Sequence, residues 1–272
     1  MKDNKANGKV LIAVSFGTSD PETRRRTVEA VEKDLADSLS EYRLVRAWTS
    51  GMIRSRVKKE EDLDIFSPEE ALDAARRGGA EEILIQPTMI VHGKEYDELI
   101  KTAASYAGMF ASVRLGKPLL SGRDDIAAVA AALEKAYSDV DGDSVLALMA
   151  HGSYSGNAAY DRLAERFFAD GYRHFMIGTL ESGEGISAVL DQLRGKRPRR
   201  IVLAPLLLSA GMHALRDMAG DGPDSWKSRL EHEGYIVDCR FTGLGEIKAI
   251  RDIFIGHAKS AAAIGAADGD CV

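Results

Sequence analysis

VLIAVSFGTS at Val10–Ser19 and VLALMAHGSYS at Val145–Ser155 are one pattern written twice. Each is a short apolar run followed by a glycine, Gly17 or Gly152, among small hydroxyl residues. Further along, ILIQPTMIVHG at Ile83–Gly93 matches IVLAPLLLSAG at Ile201–Gly211, with Pro87 opposite Pro205. Apolar runs of this length with no polar alternation predict strands buried on both faces, as in parallel sheets. The copies differ in chemistry. His151 stands where the first copy has Phe16, and His213 where it has Glu95. Two similar halves with imidazoles at strand ends in only one of them suggest a duplicated fold with a single metal site.

The rest of the chain follows the same rhythm. Ser19, Asp20, Pro21 and Glu22 read as a helix start, with a polar cap, a proline in the first turn and an acid at the positive end of the dipole. That predicts a helix from Pro21 to Ser38, then a strand over Tyr42–Ala47. Ser67-Pro68-Glu69-Glu70 caps a second helix ending near Gly78, Ile83–Gln86 is a strand, and Glu95–Phe110 is helical. Val113–Leu120 ends the first half. The second half predicts strands at Val145–Met149, Phe175–Thr179, Ile201–Leu207 and Ile236–Phe241, with helices at Asn157–Asp170 and Ile186–Arg194. Glu246–Ala263 reads as a final helix that crosses back to brace the first half. Strands alternating with helices imply parallel sheets covered on both faces. Between its paired glycines the first half is 17 residues longer than the second, and Trp48–Phe66 is the natural place for the excess. The expected domains are residues 1–125, joined by 246–272, and residues 126–245 carrying the metal site.

Bulk properties narrow the function. With 272 residues, 45% hydrophobic and 29% charged, the chain has the composition of a folded protein large enough for two domains. A net charge of −6 argues against a general nucleic-acid role. Cys239 and Cys271 form no disulfide framework and no CxxC metal site. No apolar run reaches membrane-spanning length, and Val10–Val14 is too short for the apolar core of a signal peptide. The expectation is a cytoplasmic protein with no membrane partner.

Ligands of open α/β sheets sit beyond the carboxyl ends of the strands. His151, Glu181 and His213 each follow a predicted strand of the second half. Two imidazoles and a carboxylate suit a divalent metal such as cobalt, nickel, iron or zinc, and the set does not separate them. Gly17 and Gly152 lie in strand-to-helix turns, where a phosphate cradle and a tight turn that needs glycine are both open readings. Neither sits in a GxGxxG or GKS/GKT pattern. Arg54, Arg56, Lys58 and Lys59 are either a solvated face balanced by Glu60, Glu61 and Asp62 or a rim that attracts an anionic substrate. His174, His232 and His257 read as surface or structural histidines.

SFGTS (Ser15–Ser19), TSGMI (Thr49–Ile53), HG (His151–Gly152), ES (Glu181–Ser182), AGMHAL (Ala210–Leu215), DMAGDGPDSWK (Asp217–Lys227) and TGLGE (Thr242–Glu246) span nearly the whole chain. In these stretches the chain resembles the sirohydrochlorin cobaltochelatases of anaerobic, early-cobalt cobalamin synthesis, in the class II chelatase group. The resemblance implies two similar Rossmann-like or flavodoxin-like α/β lobes, with the metal held in a cleft between them by His151, Glu181 and His213. It implies insertion of Co2+ into sirohydrochlorin with release of two protons, without ATP or an organic cofactor. The divalent metal, Co2+ or Fe2+, is bound as substrate. His151, Glu181 and His213 would be catalytic. Ser15, Phe16, Arg54, Arg56 and Lys58 would meet the polycarboxylate substrate. His92 stands where relatives commonly carry a polar, non-ligating residue, which raises an additional haem or metal contact. Open alternatives are a ferrochelatase making sirohaem, a non-catalytic metal or tetrapyrrole carrier, and a two-lobed small-molecule binding protein. A homo-oligomer is equally open.

Overall fold

A computed structural model describes residues 8–152, 157–180 and 185–265. In chain order the elements are β1 (Lys9–Ser15), α1 (Pro21–Arg26), α2 (Val28–Ser38), β2 (Arg43–Trp48), α3 (Gly51–Glu61), α4 (Pro68–Arg77), β3 (Glu82–Pro87), α5 (Lys94–Tyr106) and β4 (Ser112–Leu115). There follow α6 (Arg123–Ala136), β5 (Val145–Ala150), α7 (Asn157–Ala169), β6 (Phe175–Thr179), α8 (Gly185–Leu193) and β7 (Ile201–Pro205). After a π-helical turn over Ala214–Met218 come α9 (Trp226–His232), β8 (Val237–Cys239), α10 (Lys248–Lys259) and β9 (Ala262–Ala263). The chain divides into two compact units, one running to Leu119 and resuming at Arg251, the other Leu120–Ile250.

The first unit holds a five-stranded sheet in the order β2-β1-β3-β4-β9, and the second a four-stranded sheet in the order β6-β5-β7-β8. All named strand pairs are parallel except β4 with β9. In both units the repeated apolar run is an inner strand. Every residue of β5 is buried, as are all but the first of β1. Each sheet has its own apolar core, built in the first around Ile12, Leu72, Ile85 and Leu99 and in the second around Ala147, Val189, Leu203 and Trp226.

The capping signals act as the sequence implies. Asp20 accepts from the Thr23 amide at 2.7 Å, and Ser67 and Glu70 close a reciprocal capping box. The helix read over Pro21–Ser38 breaks at Thr27 instead, whose hydroxyl donates to the Thr23 carbonyl at 2.6 Å while its backbone leaves helical values. Within the stretch Val113–Leu120, β4 stops at Leu115, before Gly116 and a proline at 118 that has no amide to donate. The last helix ends at Lys259, and Ala262–Ala263 pairs antiparallel with β4 rather than extending it. The excess in the first unit forms α3. Two helices join β2 to β3, whereas α8 alone is described between β6 and β7. The sequence reading passed over α6 and α9. Residues from Arg251 onward belong to the first unit, with Arg251 Nε 2.7 Å from Asp34 Oδ2 and the His257 ring bonded to the Lys117 carbonyl.

A charged layer ties β2 to α2 and α1 to α3. Arg46 donates three hydrogen bonds to Glu32, which is 3% exposed, and reaches Glu29 at 3.1 Å. Arg24 grips Glu61 with two bonds. Burial pushes the Glu32 carboxyl above its ordinary range, against the pull of Arg46. Removing one partner strands the other charge, so Glu32→Ala should cost about 3 kcal/mol, the lower end for a broken buried pair because Glu29 remains. A urea melt of the variant measures it. Glu61 behaves oppositely, because the Arg24 hydrogen bonds hold its pKa below the ordinary glutamate value. Its contribution is present above that ordinary value and is lost as pH falls through the depressed one. The thermal midpoint of Glu61→Gln should therefore fall less on acidification than that of the parent.

Candidate metal site

The site is built at the carboxyl end of the second sheet. β5 pairs with β6 on one edge and β7 on the other. Both neighbours continue past its end: Leu180 donates to the Ala150 carbonyl at 3.0 Å and Leu206 to the Met149 carbonyl at 2.8 Å. His151 is the next residue of β5, exposed, and Gly152 turns the chain away at φ +86°. That value is open to glycine and strained for other residues, so the turn alone accounts for Gly152. Glu181 lies outside the described residues, and its predecessor Leu180 is the one tethered beside Ala150.

His213 reaches the same end from β7. Past Pro205 the chain stays registered on its neighbour, with Leu244 and Gly245 donating to the carbonyls of Leu207 and Leu208. His213 then opens the π-helical turn Ala214–Met218, in which the Ala219 amide reaches back five residues to the Ala214 carbonyl. Ala214 and Met218 are fully buried and pin the turn to the core. Met212 and Leu215, on either side of His213, are more than half exposed. Such turns recur at functional sites.

The two rings come together, their centroids 5.1 Å apart and their planes tilted by 41°. A metal–nitrogen bond of about 2.0–2.1 Å plus a ring radius of about 1.1 Å, doubled across a tetrahedral angle, gives a centroid separation of about 5 Å. The observed 5.1 Å matches that separation. His213 Nδ1 lies 2.6 Å from Asp217 Oδ2, leaving Nε2 for another partner. Among the described residues no cluster of three histidine, cysteine or carboxylate side chains forms a metal cage.

The other expected residues lie in the first unit. Phe16 follows β1, half exposed, at the place His151 takes after β5. Ser15, expected to touch substrate, is instead fully buried, and its hydroxyl accepts from Thr88 at 2.9 Å. Gly17 sits against the Trp48 indole at φ +99°, and an added Cβ would lie 2.7 Å from that ring. This favours the tight turn over a phosphate cradle. Arg54, Arg56 and Lys58 gather on α3, each with a carboxylate: Arg54 with Glu70, Arg56 with Glu60, and Lys58 with Asp62 and Asp64. The Asp62 and Asp64 bonds push Lys58 up to about 12. The His92 ring stacks edge-on against Tyr96, and its Nε2 lies 2.5 Å from Asp97. Asp217, four places after His213 on the same turn, was not singled out in the sequence.

The α/β fold is shared with solved structures. SirB from Bacillus subtilis with Fe3+ superposes at a TM-score of 0.63 with 14% identity, covering 93% of this chain and 94% of that one. DR2241 from Deinococcus radiodurans, a multi-domain protein with structural similarity to chelatases, gives 0.61 with 17% identity over 92% of this chain and 54% of that one. The family is set by sequence: the cobalt chelatase (CbiK) model matches residues 9–263, and the chain belongs to that family. It is 35% identical over 259 residues to the sirohydrochlorin cobaltochelatase of Salmonella typhimurium, covering 93% of this chain and 96% of that protein. It is 31% identical over 183 residues to sirohydrochlorin cobaltochelatase CbiKC of Nitratidesulfovibrio vulgaris, covering 66% of this chain and 64% of that one. No described helix is long and apolar enough to cross a membrane.

The turn that carries His213 has a tight closing point. A Cβ on Gly220 would lie 2.4 Å from the Arg216 carbonyl oxygen, a backbone atom that cannot swing aside. Gly220→Ala should open the turn and destabilise the protein by about 1–3 kcal/mol, as overpacking does. A lowered thermal midpoint in that variant, with Gly222→Ala unchanged as the control in open space, checks it.

Proposed function

We propose that this protein inserts Co2+ into sirohydrochlorin, releasing two pyrrolic protons, without ATP or an organic cofactor. The observation that carries this reading is the 5.1 Å approach of His151 and His213 at the end of the β5–β7 pair, in a chain of the cobalt chelatase family. His151 and His213 hold the ion. Glu181 completes the set and offsets the metal's charge, a role supported by the tether of Leu180 beside Ala150.

The reaction exchanges two N–H protons for one M2+, so the site must surrender its ligand and accept protons in the same place. Imidazole suits both, because the nitrogen that releases the metal becomes a base near neutral pH. The exposed side chains of Met212 and Leu215 flank His213, and their apolar surface suits the face of a flat macrocycle. Phe16 offers the same kind of surface in the first unit. Arg54 holds Glu70 through Nη1 and Arg56 holds Glu60 through Nε, so each guanidinium keeps further N–H donors for substrate carboxylates, while Lys58 already serves Asp62 and Asp64. His92 keeps its Asp97 pair, so a haem or metal contact there would fall to Nδ1.

The decisive assay mixes the protein with sirohydrochlorin and Co2+ or Fe2+ anaerobically and follows absorbance over a no-enzyme baseline. The parent should accelerate conversion with Co2+, and His213→Ala and His151→Ala should lose that acceleration while retaining the parent's circular dichroism. Near-normal turnover in His213→Ala would overturn the metal-site assignment. Binding of the tetrapyrrole with no acceleration for either metal would make the protein a carrier.

A further inference from the structure

The turn that presents His213 also presents a carboxylate to which the insertion chemistry assigns no task. We propose that Asp217 is a positioning residue that fixes the tautomer and the plane of the His213 ring, so that Nε2 offers its lone pair to the incoming Co2+. This rests on the reading of His213 as a metal ligand.

Asp217 Oδ2 lies 2.6 Å from His213 Nδ1, and its other oxygen is 3.5 Å from Arg216 Nε. An ionised carboxylate only accepts, so the hydrogen bond requires the proton on Nδ1 and leaves Nε2 as the acceptor of a neutral ring. A carboxylate behind a metal-binding imidazole sets both its tautomer and its rotation. Held against Asp217, the ring has one orientation rather than several, although its side chain is 52% exposed and solvent alone would leave it free to turn. The backbone holds the pair together: Ala214 and Met218 are buried on the same turn, and the Ala214–Ala219 bond closes it. The spacing to His151 that permits a shared ion therefore depends on a residue that need not touch the ion.

The test titrates the full chain with Co2+ alone, under anaerobic conditions, and reads the visible d–d absorption. Asp217→Ala and the near-isosteric Asp217→Asn should weaken Co2+ binding by about 10- to 100-fold, the usual cost of losing such a partner. Both should shift the band, which a remote structural change would leave in place. In a His213→Ala background, Asp217→Ala should add no further loss. Parent-like Co2+ binding by the Asp217 variants, with His213→Ala impaired, would overturn this inference and leave the ligand assignment standing. Parent-like binding by His213→Ala would overturn both. A loss on Asp217→Ala that persists without His213 would make Asp217 a ligand or a general structural residue, and would also overturn the positioning role. If Asp217→Ala does not fold, Asp217→Asn decides.

Discussion

The second unit depends on β5 being buried on both faces and paired along both edges. Those conditions fix its register, Ala150 against Thr179 and Met149 against Pro205. A slip by one residue would send every side chain of the strand to the opposite face and move its end by about 3.3 Å. His151, the chain before Glu181 and the loop toward His213 all leave the sheet within a residue or two of that register. The separation of the imidazoles is thus a consequence of core packing several residues away. An apolar run that could lie in only one way was needed before a pair of histidines could meet.

The same scaffold in the first unit ends differently. β1 is as buried as β5 and is likewise flanked by two parallel strands. Its end is closed by the Ser15–Thr88 hydroxyl pair and by Gly17 packed on Trp48, with Phe16 where the second unit has His151. One unit ends its strands in neighbouring imidazoles and a π-helical turn. The other closes them with buried hydroxyls and an indole, and adds α3 with its paired charges.

Much of this was legible in the sequence because its signals are local. Apolar runs gave the inner strands, Asp20-Pro21 and Ser67-Pro68-Glu69-Glu70 gave the helix starts, and the mismatch of His151 with Phe16 pointed to the half that carries the imidazoles. What was missed depends on non-local contacts. Thr27 breaks a periodic helix through its own hydroxyl, and Ala262–Ala263 becomes a strand only because β4 offers an edge. Ser15 was expected to meet substrate, but the strand continues through it and buries it. The basic stretch at Arg54–Lys58 was read beside Glu60 and Asp62, which do pair with Arg56 and Lys58, whereas Glu70 and Asp64 lie outside the helix and gave no such sign. Asp217 was in plain view, but helical spacing says only that it neighbours His213, not that the turn widens to hold the pair.

The path of the chain constrains the order in which the molecule can be made. The first unit is opened, interrupted by the whole of the second, and finished only by residues from Arg251 onward. Its β4 edge, and the surface near Asp34 that meets Arg251, wait uncovered while some 130 residues of the second unit leave the ribosome. The second unit is continuous and can fold as soon as it emerges. The second unit is therefore free to mature first, and the earlier-synthesised unit last, so a nascent chain stalled before α10 would display a finished second sheet beside an unfinished first one.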